Sequence, residues 1–185
     1  ARSDRSRNDM PDTIENNKTM LGSEQLIWLK DNLLRSNAIW KVVSSDIPMS
    51  IPTGVNSSKF GRDGWANGIN LDFSSQTGFE KELEEIMKFI DDNNIKNVIF
   101  VTTDVHFPII LKYNTDMNGD GDSVNVYEIV SGPLSAFILG IPSAPLLMPD
   151  PTFQPTIFYV EGGIFNFAYI QILEGTDGKN HMLID

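Results

Sequence analysis

Residues 97–106 read Asn97-Val98-Ile99-Phe100-Val101-Thr102-Thr103-Asp104-Val105-His106. The first seven form a short, continuous apolar run, the kind of strand that is buried on both faces of a sheet. Just upstream, residues 79–93 (FEKELEEIMKFIDDN) place Phe79, Leu83, Ile86, Met87 and Ile90 on one helical stripe, with acidic residues opposite. A helix feeding such a strand is an αβ unit, so the fold class is α/β. The run then breaks into Asp104-Val105-His106. Polar, ionisable residues at this edge stand where open α/β sheets place their ligands.

Other elements follow outward from this unit. Upstream, Leu26, Ile27, Leu29, Leu33 and Leu34 keep helical spacing, with Trp28 beside them. Ser23 is the expected N-cap, and the helix should end near Ser36. Residues 39–45 (IWKVVSS) read as a strand closed by Asp46-Ile47-Pro48. Residues 50–78 form the longest irregular stretch, rich in glycine, and long loops inside compact domains are often functional. Downstream, residues 109–113 and 124–130 pair as strands around a polar tip. Residues 157–160, 164–173 and 182–184 read as closing strands, giving mixed sheets with flanking helices. Residues 1–19 are polar and carry no period.

Composition narrows the chemistry. The 185 residues suffice for one domain with a core, and 41% hydrophobic with 21% charged residues is ordinary for a globular chain. A formal net charge of -11 repels nucleic acid and anionic lipid, so no nucleic-acid binding is expected. A small phosphorylated substrate is compatible with that charge where a bound cation dominates its own site. The absence of cysteine removes disulfides, thiol nucleophiles and thiolate metal sites together. Any catalytic histidine must be His106 or His181, and His181, in a polar turn near the end, reads as surface. No apolar run reaches membrane-spanning length, and the start of the chain lacks a signal-peptide stretch.

Four constellations can carry chemistry. In Asp104-Val105-His106 a carboxylate and an imidazole two residues apart can converge on one first-row metal ion. The same spacing fits a capped strand end, with Asp104 bonding nearby amides and His106 packed beneath Phe107; the spacing leaves both readings open. Asp116, Asn118, Asp120 and Asp122 copy the first half of a calcium loop, but Tyr127 stands where the bidentate Glu belongs, and no helix flanks them. A solvated hairpin tip is the alternative. Gly61-Arg62-Asp63-Gly64-Trp65 offers a phosphate-holding Arg and an aromatic wall, or simply a turn with an aromatic plug. Arg2, Arg5 and Arg7 could form an anion site and equally suit a solubilised end. No G-x-S-x-G elbow, P-loop or G-x-G-x-x-G is present.

Taken in order, these segments resemble the PhoD-like alkaline phosphatase and phosphodiesterase family of metallophosphoesterases. Ala1-Arg2-Ser3-Asp4-Arg5 looks like the family's D-x-R stretch without its leading Asp. Met20-Leu21-Gly22-x-x-Gln25-x-x-Trp28-Leu29 and Trp40-Lys41-Val42-Val43 look like its helix and following strand. Asp63-Gly64-Trp65 resembles a loop near its site, and Thr103-Asp104-Val105-His106 its G-D-x-H turn. Ser131-Gly132-Pro133-Leu134-Ser135-Ala136 and Asn166-Phe167-Ala168 resemble its S-G-P-L-S-A and N-F-G segments. The resemblance implies a metallophosphoesterase-like sandwich and hydrolysis of phosphate esters, usually outside the bacterial cytoplasm. It implies iron and calcium as cofactors, with zinc or manganese as comparable metals.

Residue by residue, the resemblance makes Asp104 and His106 the metal and catalytic residues, and Arg2, Asp63 and Trp65 substrate-binding neighbours. It also implies that residues 1–185 are the C-terminal portion of one domain, with an upstream N-terminal half, absent here, as partner. Thr103 departs from the family's glycine, and the remaining ligands would lie upstream. Three readings therefore stand: part of a metal-dependent phosphoester hydrolase, a non-catalytic fragment or degenerate homologue, and a calcium-binding module built on residues 116–122.

Overall fold

A computed structural model describes residues 18–51, 64–66, 68–69, 72–76, 78–116, 118–140, 149, 153 and 155–185. The elements are α1 (Ser23–Arg35), β1 (Lys41–Ser44), β2 (Gly68–Ile69), β3 (Asp72–Gln76), α2 (Glu80–Asp92), β4 (Val98–Thr102), β5 (Ile109–Thr115), β6 (Val124–Val130), β7 (Pro155–Val160), β8 (Ile170–Glu174) and β9 (Asn180–Ile184). A five-stranded mixed sheet runs in the order β1-β4-β6-β5-β7, and β2-β3 and β8-β9 form two-stranded ribbons. β1, β4 and β6 are parallel. β5 runs antiparallel between β6 and β7.

Register sorts the side chains onto two faces, because successive residues of a strand point to opposite sides. Val98, Phe100 and Thr102 lie level with Val126, Glu128 and Val130. Ile109, Leu111 and Tyr113 continue the same face in β5. The apolar members of this face join the core with Leu83, Ile86, Met87 and Ile90 of α2. These four side chains are essentially fully buried. At roughly 1.5–3 kcal/mol for each such side chain, the α2 stripe is a principal source of stability. The acidic side is less simple than expected, since Glu80, Glu82 and Asp91 are also buried.

Glu82 explains how the chain enters α1. Its carboxylate accepts hydrogen bonds from Thr19 Oγ1 (2.7 Å), Met20 N (2.5 Å) and Leu21 N (3.2 Å). Thr19 Oγ1 in turn accepts from Gly22 N at 2.6 Å. The cap position of α1 is Gly22, at φ 76°, and no side chain caps the helix. Ser23 is therefore the first helical residue rather than the N-cap, because Glu82 and Thr19 already hold the preceding amides.

Other departures from the sequence reading have plain causes. The 50–78 stretch contains the antiparallel β2-β3 ribbon, whose Asp, Gly and Ser content hides its strand character. β8 begins only at Ile170, so residues 161–169 are not strand. In α1 only Leu33 is buried, while Ile27, Trp28 and Leu34 stay exposed.

The second face of the sheet presents Val42, Ile99, Ile110, Tyr127, Ile129 and Tyr159. The β8-β9 ribbon lies against it. Two cavities open between them, one of about 520 Å³ touching Ile99, Tyr127, Met182 and Ile184, the other of about 370 Å³ touching Ile110, Ile129 and Asp185. Much apolar surface stays open to solvent on or beside this face, with Val42 56% and Tyr159 43% exposed. Among the described residues no helix is long and apolar enough to cross a membrane.

Glu82→Ala would leave two amides and a hydroxyl without their acceptor. At about 1 kcal/mol or more for each lost bond, we expect roughly 2–4 kcal/mol of destabilisation, read from the urea unfolding midpoint. A loss under about 0.5 kcal/mol would show that the carboxylate does not hold this segment.

Candidate active site at the carboxyl ends of the parallel strands

The carboxyl ends of β1, β4 and β6 gather three segments at one sheet edge: Ser45-Asp46, Thr103 to His106, and Ser131 onward. Backbone bonds extend the ladder just past the strands, from Ser45 N to Val101 O (3.0 Å) and from Ser131 N to Thr102 O (3.2 Å). Asp104 and His106 stand in the middle of this edge. Both have left-handed backbones, at φ 79° and φ 62°. Asp and His are among the few non-glycine residues that occupy this region with any frequency, and such conformations cluster at functional sites. Val105 between them is buried, which anchors the turn.

His106 has defined surroundings. Its Nδ1 lies 2.6 Å from the Phe137 carbonyl oxygen. A carbonyl only accepts, so Nδ1 carries the proton and the neutral ring keeps its lone pair on Nε2. The Phe137 ring packs against the imidazole with centroids 4.1 Å apart, tilted by 41°. Leu139 N donates to the His106 carbonyl at 3.1 Å. The alternative of His106 packed beneath Phe107 is not what forms, because Phe107 turns fully into the core. Asp104 is exposed, and among the described residues its carboxylate makes no hydrogen bond, so it is not capping nearby amides.

One carboxylate oxygen and one imidazole nitrogen suit iron, zinc or manganese. Among the described residues no group of three His, Asp or Glu side chains is placed to hold a metal ion. Asp104 and His106 are thus a fitting pair of donors rather than a full coordination sphere.

The remaining candidates lie elsewhere. Trp65 is buried, donates from Nε1 to Ser45 Oγ at 3.4 Å, and lines a cavity of about 280 Å³ with Trp28, Ser45 and Asp46. Arg2, Arg5, Arg7, Arg62 and Asp63 lie outside the described residues. In the hairpin tip, Asp116 accepts from the amides of Gly119 (2.7 Å), Asp120 (3.1 Å) and Gly121 (2.8 Å). Asn118 Oδ1 and Asp120 Oδ1 accept from the amides of Asp120 and Asp122, so the tip closes on its own backbone. His181 is exposed, its Nε2 2.8 Å from Asp177 Oδ1.

Sequence reasoning passed over Glu128. Val124, Val126 and Val130 share its face, so strand alternation alone puts this carboxylate in the core. Glu128 Oε1 accepts from Thr102 Oγ1 (2.7 Å) and Met49 N (2.8 Å), and Oε2 accepts from Tyr113 OH (2.5 Å). Ser50 Oγ lies 2.6 Å from the same tyrosine oxygen. The network ties β6 and the end of β4 to residues 49–50. Burial pushes the Glu128 carboxyl above the usual carboxylate range, against the opposing hydrogen bonds from Tyr113, Met49 and Thr102.

Comparisons with known proteins identify the family. The family model for PhoD-like phosphatase matches residues 1–153, so the chain belongs to that family. It is 33% identical over 106 residues to alkaline phosphatase D of Bacillus subtilis (strain 168), covering 56% of this chain and 15% of that protein. A solved structure of PhoD superimposes with a TM-score of 0.60 at 22% identity, over 94% of this chain and 34% of the other. The chain therefore spans about a third or less of the length of these relatives.

The raised Glu128 pKa gives a pH dependence of defined sign. Between 4.5 and its raised value the folded chain keeps a proton here that the unfolded chain has released. Stability from this group is fullest at and below the ordinary value and falls as pH climbs towards the raised one. Glu128→Gln keeps acceptor and donor atoms while removing the titration. We expect the difference in urea midpoint between the two proteins to move in the variant's favour from pH 4.5 upward. A pH-independent difference would show that the group titrates normally.

Proposed function

We propose that this chain supplies Asp104 and His106 to the active site of a metal-dependent phosphoester hydrolase, of the alkaline phosphatase and phosphodiesterase type. The observation that carries the reading is the His106 Nδ1 bond to the Phe137 carbonyl. It leaves Nε2 with the lone pair, two residues from an exposed carboxylate, at the sheet edge where α/β folds put their chemistry. Membership of the PhoD-like family supports it.

Asp104 and His106 would hold the metal, with iron and calcium the pair expected and zinc or manganese alternatives. When bound, such an ion supplies a Lewis acid that polarises the phosphoryl oxygen and lowers the pKa of water. The chain's own part is positional. The left-handed turn presents both donors from one corner, Phe137 fixes the imidazole tautomer, and the Glu128 network keeps the strand ends from shifting.

The open second face supports a further element of the proposal. A two-sheet metallophosphoesterase sandwich would cover Val42, Tyr127 and Tyr159, and an upstream half of the same protein would bring that cover and the remaining ligands. A location outside the bacterial cytoplasm goes with the family. The second reading is a non-catalytic fragment or degenerate homologue, which keeps the fold without the chemistry.

Asp104→Asn and His106→Asn both tolerate the left-handed backbone, so they remove chemistry without straining the turn. In the enzyme that carries this chain, each should lower hydrolysis of p-nitrophenyl phosphate and bis-p-nitrophenyl phosphate by at least about 100-fold. His181→Asn should change neither rate. Near-normal turnover in both site variants would falsify the assignment. Elemental analysis separates the second reading, which requires no iron, calcium, zinc or manganese held through these residues.

A further inference from the structure

We propose that Asn166 is a positioning residue for His106, acting through the 131–139 segment. This rests on the reading of His106 as a site residue. The Asn166 carboxamide forms two bonds to one residue: Oδ1 accepts from Gly132 N and Nδ2 donates to Gly132 O, each at 2.8 Å. Pairing with one N–H and one C=O fixes which end of the amide faces which group. The Asn166 backbone N–H adds a third bond, to Pro133 O at 3.1 Å. A side chain thus acts as a short strand neighbour for residues 132–133, which have no ladder partner among the described residues.

The clamped segment is the one that touches His106. Five residues beyond Gly132, Phe137 provides the carbonyl that accepts the Nδ1 proton and the ring that packs on the imidazole. Leu139 bonds the His106 carbonyl, and Leu139 O accepts from Gly163 N at 2.7 Å. Residues 131–139 are therefore held at both ends by the 163–166 stretch. Gly132 runs beside Thr103, since a Cβ added there would lie at ordinary contact distance, 3.4 Å, from Thr103 Oγ1. Its φ of 104° is also one that side-chain-bearing residues rarely adopt. Asn166 consequently fixes the backbone that leads to the acceptor for His106.

A direct test reads the imidazole rather than the reaction. In the protein that carries this chain, 15N-histidine labelling at about pH 8, above the ordinary imidazole range, reports the tautomer, and the signals lost in His106→Asn are those of His106. The Nδ1–H form should dominate with Asn166 present. Asn166→Ala should shift the tautomer ratio towards Nε2–H by several-fold to about tenfold, the effect of weakening one neutral hydrogen bond. Asn166→Asp keeps an acceptor for Gly132 N–H but sets a carboxylate oxygen against Gly132 O. It should shift the ratio the same way, and it serves if the alanine variant does not fold. An unchanged Nδ1–H signature in either folded variant overturns the proposal, whatever happens to its melting temperature. The outcome is independent of the phosphatase reading, which fails separately if His106→Asn leaves hydrolysis intact while the tautomer responds to Asn166.

Discussion

The structure depends on one buried carboxylate. Glu128 lies at the middle strand of the five-stranded sheet, and its two oxygens accept from a neighbouring strand, from the tyrosine of another, and from the backbone of residue 49. Residues 48–49 then accept from Trp65 N and Ala66 N, and Trp65 O accepts from Phe79 N, at the mouth of α2. A chain of single bonds therefore runs from the sheet centre to the helix that closes the core. An ionisable group in such a place is costly unless its hydrogen bonds are satisfied. Once they are, few alternative packings satisfy them equally well, and that restricts how β4, β5, β6 and α2 can meet.

Much of this was legible in the sequence because periodicity reports burial. The α2 stripe, the doubly buried β4 and the β5-β6 pair all carry apolar patterns that only one packing satisfies. Glu128 was legible too, to a reader who kept alternation through residues 124–130 and asked why a carboxylate sat on the inward row. What stayed hidden depends on contacts between residues far apart in sequence. The start of α1 is set by Glu82, some sixty residues away, so a capping rule applied to Ser23 misplaces it by one position. The β2-β3 ribbon lacks apolar alternation. The exposed side of α1 looks like a core stripe because its leucines, isoleucine and tryptophan keep helical spacing whether or not anything covers them.

The candidate site shows the same division. Asp104 and His106 stood out as candidates from their place after a buried strand and from the ordered motifs around them. Their readiness could not, because it depends on which histidine nitrogen holds the proton. That is set by a carbonyl thirty-one residues away, in a segment with no regular structure, pinned by an asparagine further on. The asparagine stood in a recognised motif, yet nothing in one dimension said what it would hold. Side-chain-to-backbone pairing of this sort has no period to betray it.

The left-handed turn at Asp104 and His106 also bears on how this corner can vary over time. A backbone there filters substitutions before any ligand or substrate can. β-branched and bulky apolar residues are excluded by the clash of Cβ with the chain, leaving mainly Gly, Asn, Asp and His. Three of those four carry metal-binding or hydrogen-bonding atoms close to the main chain. Sequence drift at these two positions is therefore confined to a small alphabet already rich in donors and acceptors, so a corner that lost its function would still spell something close to a site.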